Sequence, residues 1–320
     1  MIASLKAAVW KSIKHRVSAS PKLQAWLRYA LDSEEPFFPS GHFYSPVIDR
    51  REAAAQADAL WPDAPPDILG IDFDPEGHQR IIDNVIGPLL AGFDYFDQAS
   101  RSDSPLAFPP DNDQFGGMDA LMLYCFMRYC APKRIIEIGS GYSTLLMRDV
   151  NRRYLDGAVR IECIEPYPQA FLRDPAIGVE LRVDPAQAVP LDVFSELAAG
   201  DILFIDSSHV SKTGSDVNHI FFEILPRLAD GVIIHVHDIF LPQEYPKEWV
   251  LTGRRSWNEQ YLLRALLMGS TDYRVLYAVH YASLRFADRL NMLIDKRVLP
   301  QQAGSSFWLR KGAGRIADTP

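Results

Sequence analysis

Arg134-Ile135-Ile136-Glu137-Ile138-Gly139-Ser140-Gly141-Tyr142-Ser143-Thr144 is the stretch on which the fold turns. A short apolar, β-branched run ends on two glycines, and a helical pattern starts at Tyr142. Glycines let the backbone approach a ligand closely, and the helix N-terminus that follows offers unpaired N–H donors around Tyr142 and Ser143. A nicotinamide site favours a third glycine, but Thr144 occupies that place. Glu137 at the strand end would repel a pyrophosphate and would suit a cofactor carrying a cationic amino group. Glu137, Gly139, Gly141, Tyr142 and Ser143 are therefore candidate cofactor-binding residues.

Outward from this turn, short apolar runs alternate with helical patterns from about residue 115. The runs are Arg134 to Ile138, Arg160 to Ile164, Val179 to Val183, Asp201 to Ile205, Gly231 to Val236, Tyr273 to Ala278, and Ser306 to Leu309. Between two of them Val217, Ile220, Phe221, Ile224, Leu225 and Leu228 form a helical stripe, which Pro226 must kink or end. Such alternation predicts an α/β fold with a mostly parallel sheet, whose ligands bind beyond the carboxyl ends of the strands. The residues after each run are the ones to examine. Glu165 ends the second run, where a carboxylate can accept both hydroxyls of a ribose. Asp184 and Gln187 follow the third, placed to read an adenine. Asp206 and His209 follow the fourth, and His237 and Asp238 close the fifth, so four ionisable groups converge on one rim.

Composition bounds the rest. Hydrophobic residues make up 48% of the 320, enough for a large core, and the net charge is −8, which disfavours a nucleic-acid partner. Cys125, Cys130 and Cys163 have neither disulfide-framework density nor zinc spacing, and Cys125 and Cys130, in an apolar helical stretch, read as buried free thiols. No apolar stretch is long enough to span a membrane, and Lys6, Lys11 and Lys14 interrupt any signal-peptide centre, so a cytoplasmic protein is expected. Residues 2 to 17 pattern as an amphipathic helix, suited to docking or to a homodimer more than to a membrane surface. Residues 33 to 75 are rich in loop formers. The division expected is a helical and loop-rich extension over 1–110 and a catalytic domain over 111–320.

The run Ile135 to Thr144, the acid Glu165, and the segment Asp201 to Asp238 together resemble the class I S-adenosylmethionine-dependent methyltransferases. The likeness is greatest to their catechol O-methyltransferase-like branch and a related bacterial family, and it covers roughly residues 110 to 311. It implies a Rossmann-like seven-stranded sheet with helices on both faces and an antiparallel last strand at Ser306 to Leu309. It implies that Gly139, Gly141 and Tyr142 line the methionine part of S-adenosylmethionine, that Glu165 holds the ribose, and that Asp206 lies near the methyl-transfer centre. Phe115-Gly116-Gly117-Met118-Asp119 resembles the loop that covers the cofactor in the catechol-type branch. That branch binds magnesium through acids and an amide after the fourth and fifth strands, here Asp206, His237 and Asp238. A histidine in such a set suits zinc, manganese or iron better than magnesium.

Methyl transfer from a sulfonium needs in-line alignment and, for a hydroxyl acceptor, removal of a proton. His209 and His237 are the candidate bases, with Asp206 beside them. The segment Leu241 to Tyr261 carries Tyr245, Trp249, Trp257, Tyr261, Arg254 and Arg255, which suit a sugar, aromatic or anionic small-molecule acceptor. Ser256 and Glu259 have the spacing of a capping box, which gives Glu259 a structural part. Two other functions share these features: a cephalosporin-hydroxylase-like oxidoreductase on the same sheet, and a non-catalytic protein that binds the cofactor or serves as a scaffold for a partner protein. Methyl transfer separates the first from a methyltransferase, and binding of S-adenosylhomocysteine separates the second.

Overall fold

A computed structural model describes residues 38–97, 104–294, 299 and 304–312. The expected N-terminal helix over 2–17 lies outside them. The chain divides into two compact units, Met1–Ala53 and Ala54–Pro320. In the first, Phe38, His42, Phe43 and Tyr44 stack on one another, with ring centroids 4.3–5.7 Å apart.

The second unit holds one seven-stranded sheet. Its strands are β1 (Arg134–Ile138), β2 (Arg160–Ile164), β3 (Glu180–Arg182), β4 (Ile202–Ile205), β5 (Ile233–Val236), β6 (Tyr273–Ala278) and β7 (Phe307–Lys311), in the order β3-β2-β1-β4-β5-β7-β6. β1 to β5 pair in parallel, and β7 runs antiparallel to both of its neighbours. This is the mostly parallel sheet expected from the alternating runs, with the seven strands, Rossmann-like order and antiparallel last strand that the resemblance implies. The helices used below are α1 (Pro75–Ile81), α2 (Gly117–Cys130), α3 (Tyr142–Tyr154), α4 (Asp216–His219) and α5 (Glu259–Leu267).

The central strands read as unbroken apolar runs because both faces of the sheet are covered. Ile135, Ile161, Cys163 and Phe204 point into one core with α2 and α3. Their strand neighbours Ile136, Ile138, Ile164, Leu203 and Ile205 point into the other, with Val217, Ile220, Phe221 and Ile224. Each such side chain contributes roughly 1.5–3 kcal/mol on burial. α2 is buried from Gly117 to Met127, which explains why its sequence is apolar all round. The stripe from Val217 starts as α4, continues as a π-helical turn over Ile220–Ile224 and ends in the 3-10 turn Leu225–Arg227, which contains Pro226. Cys125 is a buried free thiol as expected, Cys130 at the end of α2 is only partly buried, and Cys163 in β2 is buried as well.

Residues 75–97, which composition assigned to the extension, pack on the sheet unit. His78 is fully buried, and its Nε2 accepts the N–H of Ala278 at 2.8 Å while Nδ1 lies 3.2 Å from the carbonyl of Asp74. α1 thereby covers the C-terminal end of the edge strand β6. Among the described residues no helix is long and apolar enough to cross a membrane.

Candidate active site

The turn after β1 is shaped by contact with the end of β4. Gly139 has φ +81°, and a Cβ there would sit 1.7 Å from the carbonyl oxygen of Asp206. Only glycine satisfies both conditions. The strands stay paired right up to the turn, with Gly139 N–H on Ile164 O at 3.0 Å and Asp206 N–H on Ile138 O at 2.9 Å. Gly141 is different: a Cβ there would meet nothing nearer than Gln169 Nε2 at 4.0 Å, so one side of this residue is open. Tyr142 begins α3 and stacks on Phe171 at 5.9 Å.

Glu137 lies beneath the turn. Strand alternation points it to the α3 side, where it is fully buried and accepts the hydroxyls of Ser143 at 2.6 Å and of Thr144. Burial raises its pKa to about 7, against the pull of those hydroxyls. Glu137 and Ser143 thus engage one another under the cofactor candidates Gly139 and Gly141. Glu165 sits at the rim, with Oε2 accepting the N–H of Ser140 at 3.2 Å and Oε1 that of Tyr167 at 2.7 Å. Asp184 is exposed, and Gln187 donates to Gly214 O at 2.8 Å.

The second cluster joins the ends of β4 and β5. His209 Nε2 lies 3.4 Å from Asp206 Oδ1 and 3.5 Å from Asp238 Oδ2, and His209 Nδ1 is 2.9 Å from Glu259 Oε2. His209 and Asp238 both have left-handed backbones, φ +59° and +57°. Strained conformations of this kind persist where surrounding contacts enforce them, often at functional sites. Here the contacts are visible: the carbonyl of His209 accepts the N–H groups of Asn258 and Glu259, and Asp238 Oδ1 accepts Ser305 Oγ at 2.9 Å. Asp119, in the first turn of α2, holds that support in place by accepting the N–H groups of Ser305 and Ser306 at 2.8–3.0 Å. Burial pushes the pKa of Asp119 up. Burial alone would lower the pKa of His209, but hydrogen bonds and charge from Asp206 and Glu259 outweigh it and raise the pKa to about 10. His209 is therefore an imidazolium at neutral pH when only the protein's own groups surround it.

Three of the four rim residues read from the sequence come together, and the grouping differs from the expected one. Asp206, His209 and Asp238 each offer a ligand atom within 4.8 Å of the others. His237, expected in the metal set, lies to one side. Its buried ring faces Phe115 at 5.3 Å, Nε2 is 3.7 Å from Asp238 Oδ1, and Nδ1 has no partner among the described residues. The N–H of His237 still pairs with Ile205, so its side chain leaves from the strand, whereas His209 reaches the carboxylates from the loop beyond β4. Phe115 is itself buried, so part of the Phe115–Asp119 stretch forms a wall behind His237.

Glu259 corrects the capping-box reading. The residue capping α5 is Asn258, its side chain makes no cap bond, and the Ser256 hydroxyl is buried without a partner. Glu259 is fully buried and turns inward to His209, with Ser207 Oγ also on its carboxylate at 3.3 Å. The pair is 50 positions apart in sequence, and no local pattern announces it. The donor set fits a divalent cation: two carboxylates and an imidazole whose far nitrogen faces a buried carboxylate, the usual support for a metal-bound histidine.

A family model describing a methyltransferase domain matches residues 136–239, which contain the β1 turn and both acidic strand ends. An uncharacterised protein of Archaeoglobus fulgidus is 33% identical over 183 residues, 55% of this chain and 82% of that protein. The chain belongs to the class I methyltransferases. Solved structures similar to it include the S-adenosylhomocysteine-bound methyltransferase PaMTH1 of Podospora anserina, 18% identical, covering 77% of this chain and 99% of that one at a TM-score of 0.40. Another is the plantazolicin methyltransferase BpumL with S-adenosylhomocysteine, 14% identical over 73% of this chain and 99% of that one, TM-score 0.39.

Proposed function

We propose that this methyltransferase takes its methyl group from S-adenosylmethionine and delivers it to a hydroxyl of a small-molecule acceptor. The observation that carries the reading is the contact of Gly139 with the Asp206 carbonyl, which sets an open glycine turn directly beside the Asp206, His209 and Asp238 cluster. The open side of Gly141 receives the methionine part, and Tyr142 closes it. Glu165 accepts the ribose hydroxyls, for which its position at the end of β2 is suited. Glu137 and Ser143 act from below: the buried carboxyl group fastens the first turn of α3, and the cofactor's ammonium group above it would favour its ionised form. Asp184 is the candidate for the adenine side.

On the acceptor side, Asp206, His209 and Asp238 are the residues that would hold a divalent cation, with Glu259 keeping Nδ1 of His209 protonated so that Nε2 is the ligand. When bound, such a cation lowers the pKa of an acceptor hydroxyl. His209 as an imidazolium between the two carboxylates is the arrangement of the same groups without it. His237, buried beside Asp238, orients that carboxylate and is the remaining candidate base.

The test is calorimetry with S-adenosylhomocysteine, followed by transfer of labelled methyl to extracts of small molecules, before and after EDTA and with each ion added back. Micromolar binding and label in a small molecule are expected, with manganese, iron or zinc restoring activity better than magnesium. No binding at millimolar S-adenosylhomocysteine would reject the function. Full activity in EDTA would remove the cation and leave His237 as the base.

A further inference from the structure

The segment after β5 folds back over the rim. Asn258 fastens it there through Ser211, whose N–H it accepts at 2.6 Å, and Trp257 packs against His209 with ring centroids 4.3 Å apart and the rings tilted by 35°. Trp257 also bounds an aromatic box. Trp249 meets it at 5.4 Å, and Phe240 and Tyr245 pack behind at 5.1 Å from Trp249 and 6.2 Å from Trp257. Inside the box lies Arg255. Its guanidinium carbon is 3.9 Å from the ring centre of Trp249 and 4.4 Å from that of Trp257.

Two polar groups in this box have nothing to bind. The guanidinium of Arg255 makes no hydrogen bond or ion pair among the described residues, although the side chain is half-buried. The adjacent Ser256 hydroxyl is buried and has no partner. Several other arginines are answered by carboxylates, as Arg134 is by Glu162 and Arg160 by Glu180, while Arg148 donates to backbone carbonyls. The two indoles meet edge to face, 81° apart, and the guanidinium packs against both without using its N–H groups, which stay available to an oxyanion. A buried hydroxyl without a partner costs free energy unless a ligand supplies one.

We propose that Arg255 and Ser256 form the specificity subsite of the acceptor pocket, and that the acceptor carries an oxyanion, a carboxylate or a phosphate monoester, next to an apolar or aromatic body. This rests on the methyltransferase reading, because the subsite touches the transfer centre through the Trp257–His209 contact. The indoles hold the apolar body, Arg255 takes the charge, and the hydroxyl to be methylated is thereby directed toward Asp206 and Asp238.

The test uses the full chain saturated with S-adenosylhomocysteine and three probes of similar size: benzoate, phenyl phosphate and benzyl alcohol. Calorimetry should find one anion bound about ten- to hundredfold more tightly than the alcohol, and which anion wins separates carboxylate from phosphate. Arg255→Gln should erase that preference, and Arg255→Lys should keep part of it, since the charge remains and the planar fork is lost. Affinity for S-adenosylhomocysteine should not move in either variant. Equal binding of anion and alcohol, no binding of either anion, or a preference that survives in Arg255→Gln or is complete in Arg255→Lys would overturn the subsite. Should S-adenosylhomocysteine itself fail to bind the unaltered chain, the methyltransferase reading falls instead. Circular dichroism identifies a Gln variant that does not fold, and the Lys variant then carries the test.

Discussion

Glu165 has both oxygens occupied by backbone N–H groups, from Ser140 and Tyr167, and remains at the rim. Those bonds aim the carboxylate while leaving it lone pairs for ribose hydroxyls. Glu165→Ala should therefore weaken S-adenosylhomocysteine binding by about ten- to hundredfold with little change in fold, the cost of losing a charged acceptor. Unchanged affinity in calorimetry would exclude the ribose role. Glu259 acts through another side chain. Glu259→Gln can still meet His209 but no longer fixes its charge and tautomer, and losses of about 10- to 100-fold in metal affinity or activity are usual for such partners. The measurement is ion affinity alongside kcat and KM: a change confined to thermal stability would make Glu259 merely structural. These two residues also mark what could be read in the sequence. Glu165, Asp206 and Asp238 end strands, and strand ends can be found from hydrophobic runs. Glu259 resembled a helix cap because Ser256 stands three positions before it, and only the folded chain brings it to His209.

The elements were legible where burial is two-sided. All seven runs became strands, with β3 trimmed to Glu180–Arg182, β4 and β5 starting at Ile202 and Ile233, and β7 moved to Phe307–Lys311, because an apolar run marks burial and says less about where strand pairing starts and stops. The place of residues 75–97 was not legible, since the contacts that seat them are long-range: His78 reaches 200 positions along the chain to Ala278, and Ile81, Ile82 and Ile86 enter the core with α2. The β1 turn offers a test at this scale by comparing its two glycines. Gly139→Ala would press a Cβ into a backbone carbonyl at positive φ, so destabilisation beyond about 3 kcal/mol is expected in urea unfolding. Gly141→Ala meets only open space at φ −160°, so the fold should keep its stability while cofactor affinity falls. If Gly141→Ala bound S-adenosylhomocysteine normally, the open side of the turn would not be the methionine site.

Across the whole molecule, two buried groups set opposing dependences of stability on pH. Burial lowers the pKa of His78 from 6.5 to about 4, although Asp74 pulls the other way. Between those values the unfolded chain binds the proton and the folded chain does not, so this stability is full above 6.5 and is lost as pH falls toward 4. Burial raises the pKa of Glu137 from 4.5 to about 7. Between those values the folded chain keeps the proton and the unfolded chain has lost it, so that stability is full below 4.5 and fades as pH rises toward 7. Each amounts to about 3 kcal/mol over its window, and the windows overlap with opposite slopes. His280, pushed down to about 4 by burial, and His235, pushed well down, act in the same direction as His78, and Asp119 and Glu259, both pushed up by burial, act in the same direction as Glu137. Each contribution is therefore read as the difference between a variant and the unaltered protein. His78→Gln retains an acceptor for the Ala278 N–H but cannot titrate, so its stability relative to the unaltered protein should fall as pH rises from about 4.5 to 6.5. Glu137→Gln should do the reverse, its relative stability rising with pH. Urea unfolding of all three proteins at pH 4.5, 5.5 and 6.5 measures both, and differences that slope the same way in the two variants would refute the assignment of these groups as an opposed pair.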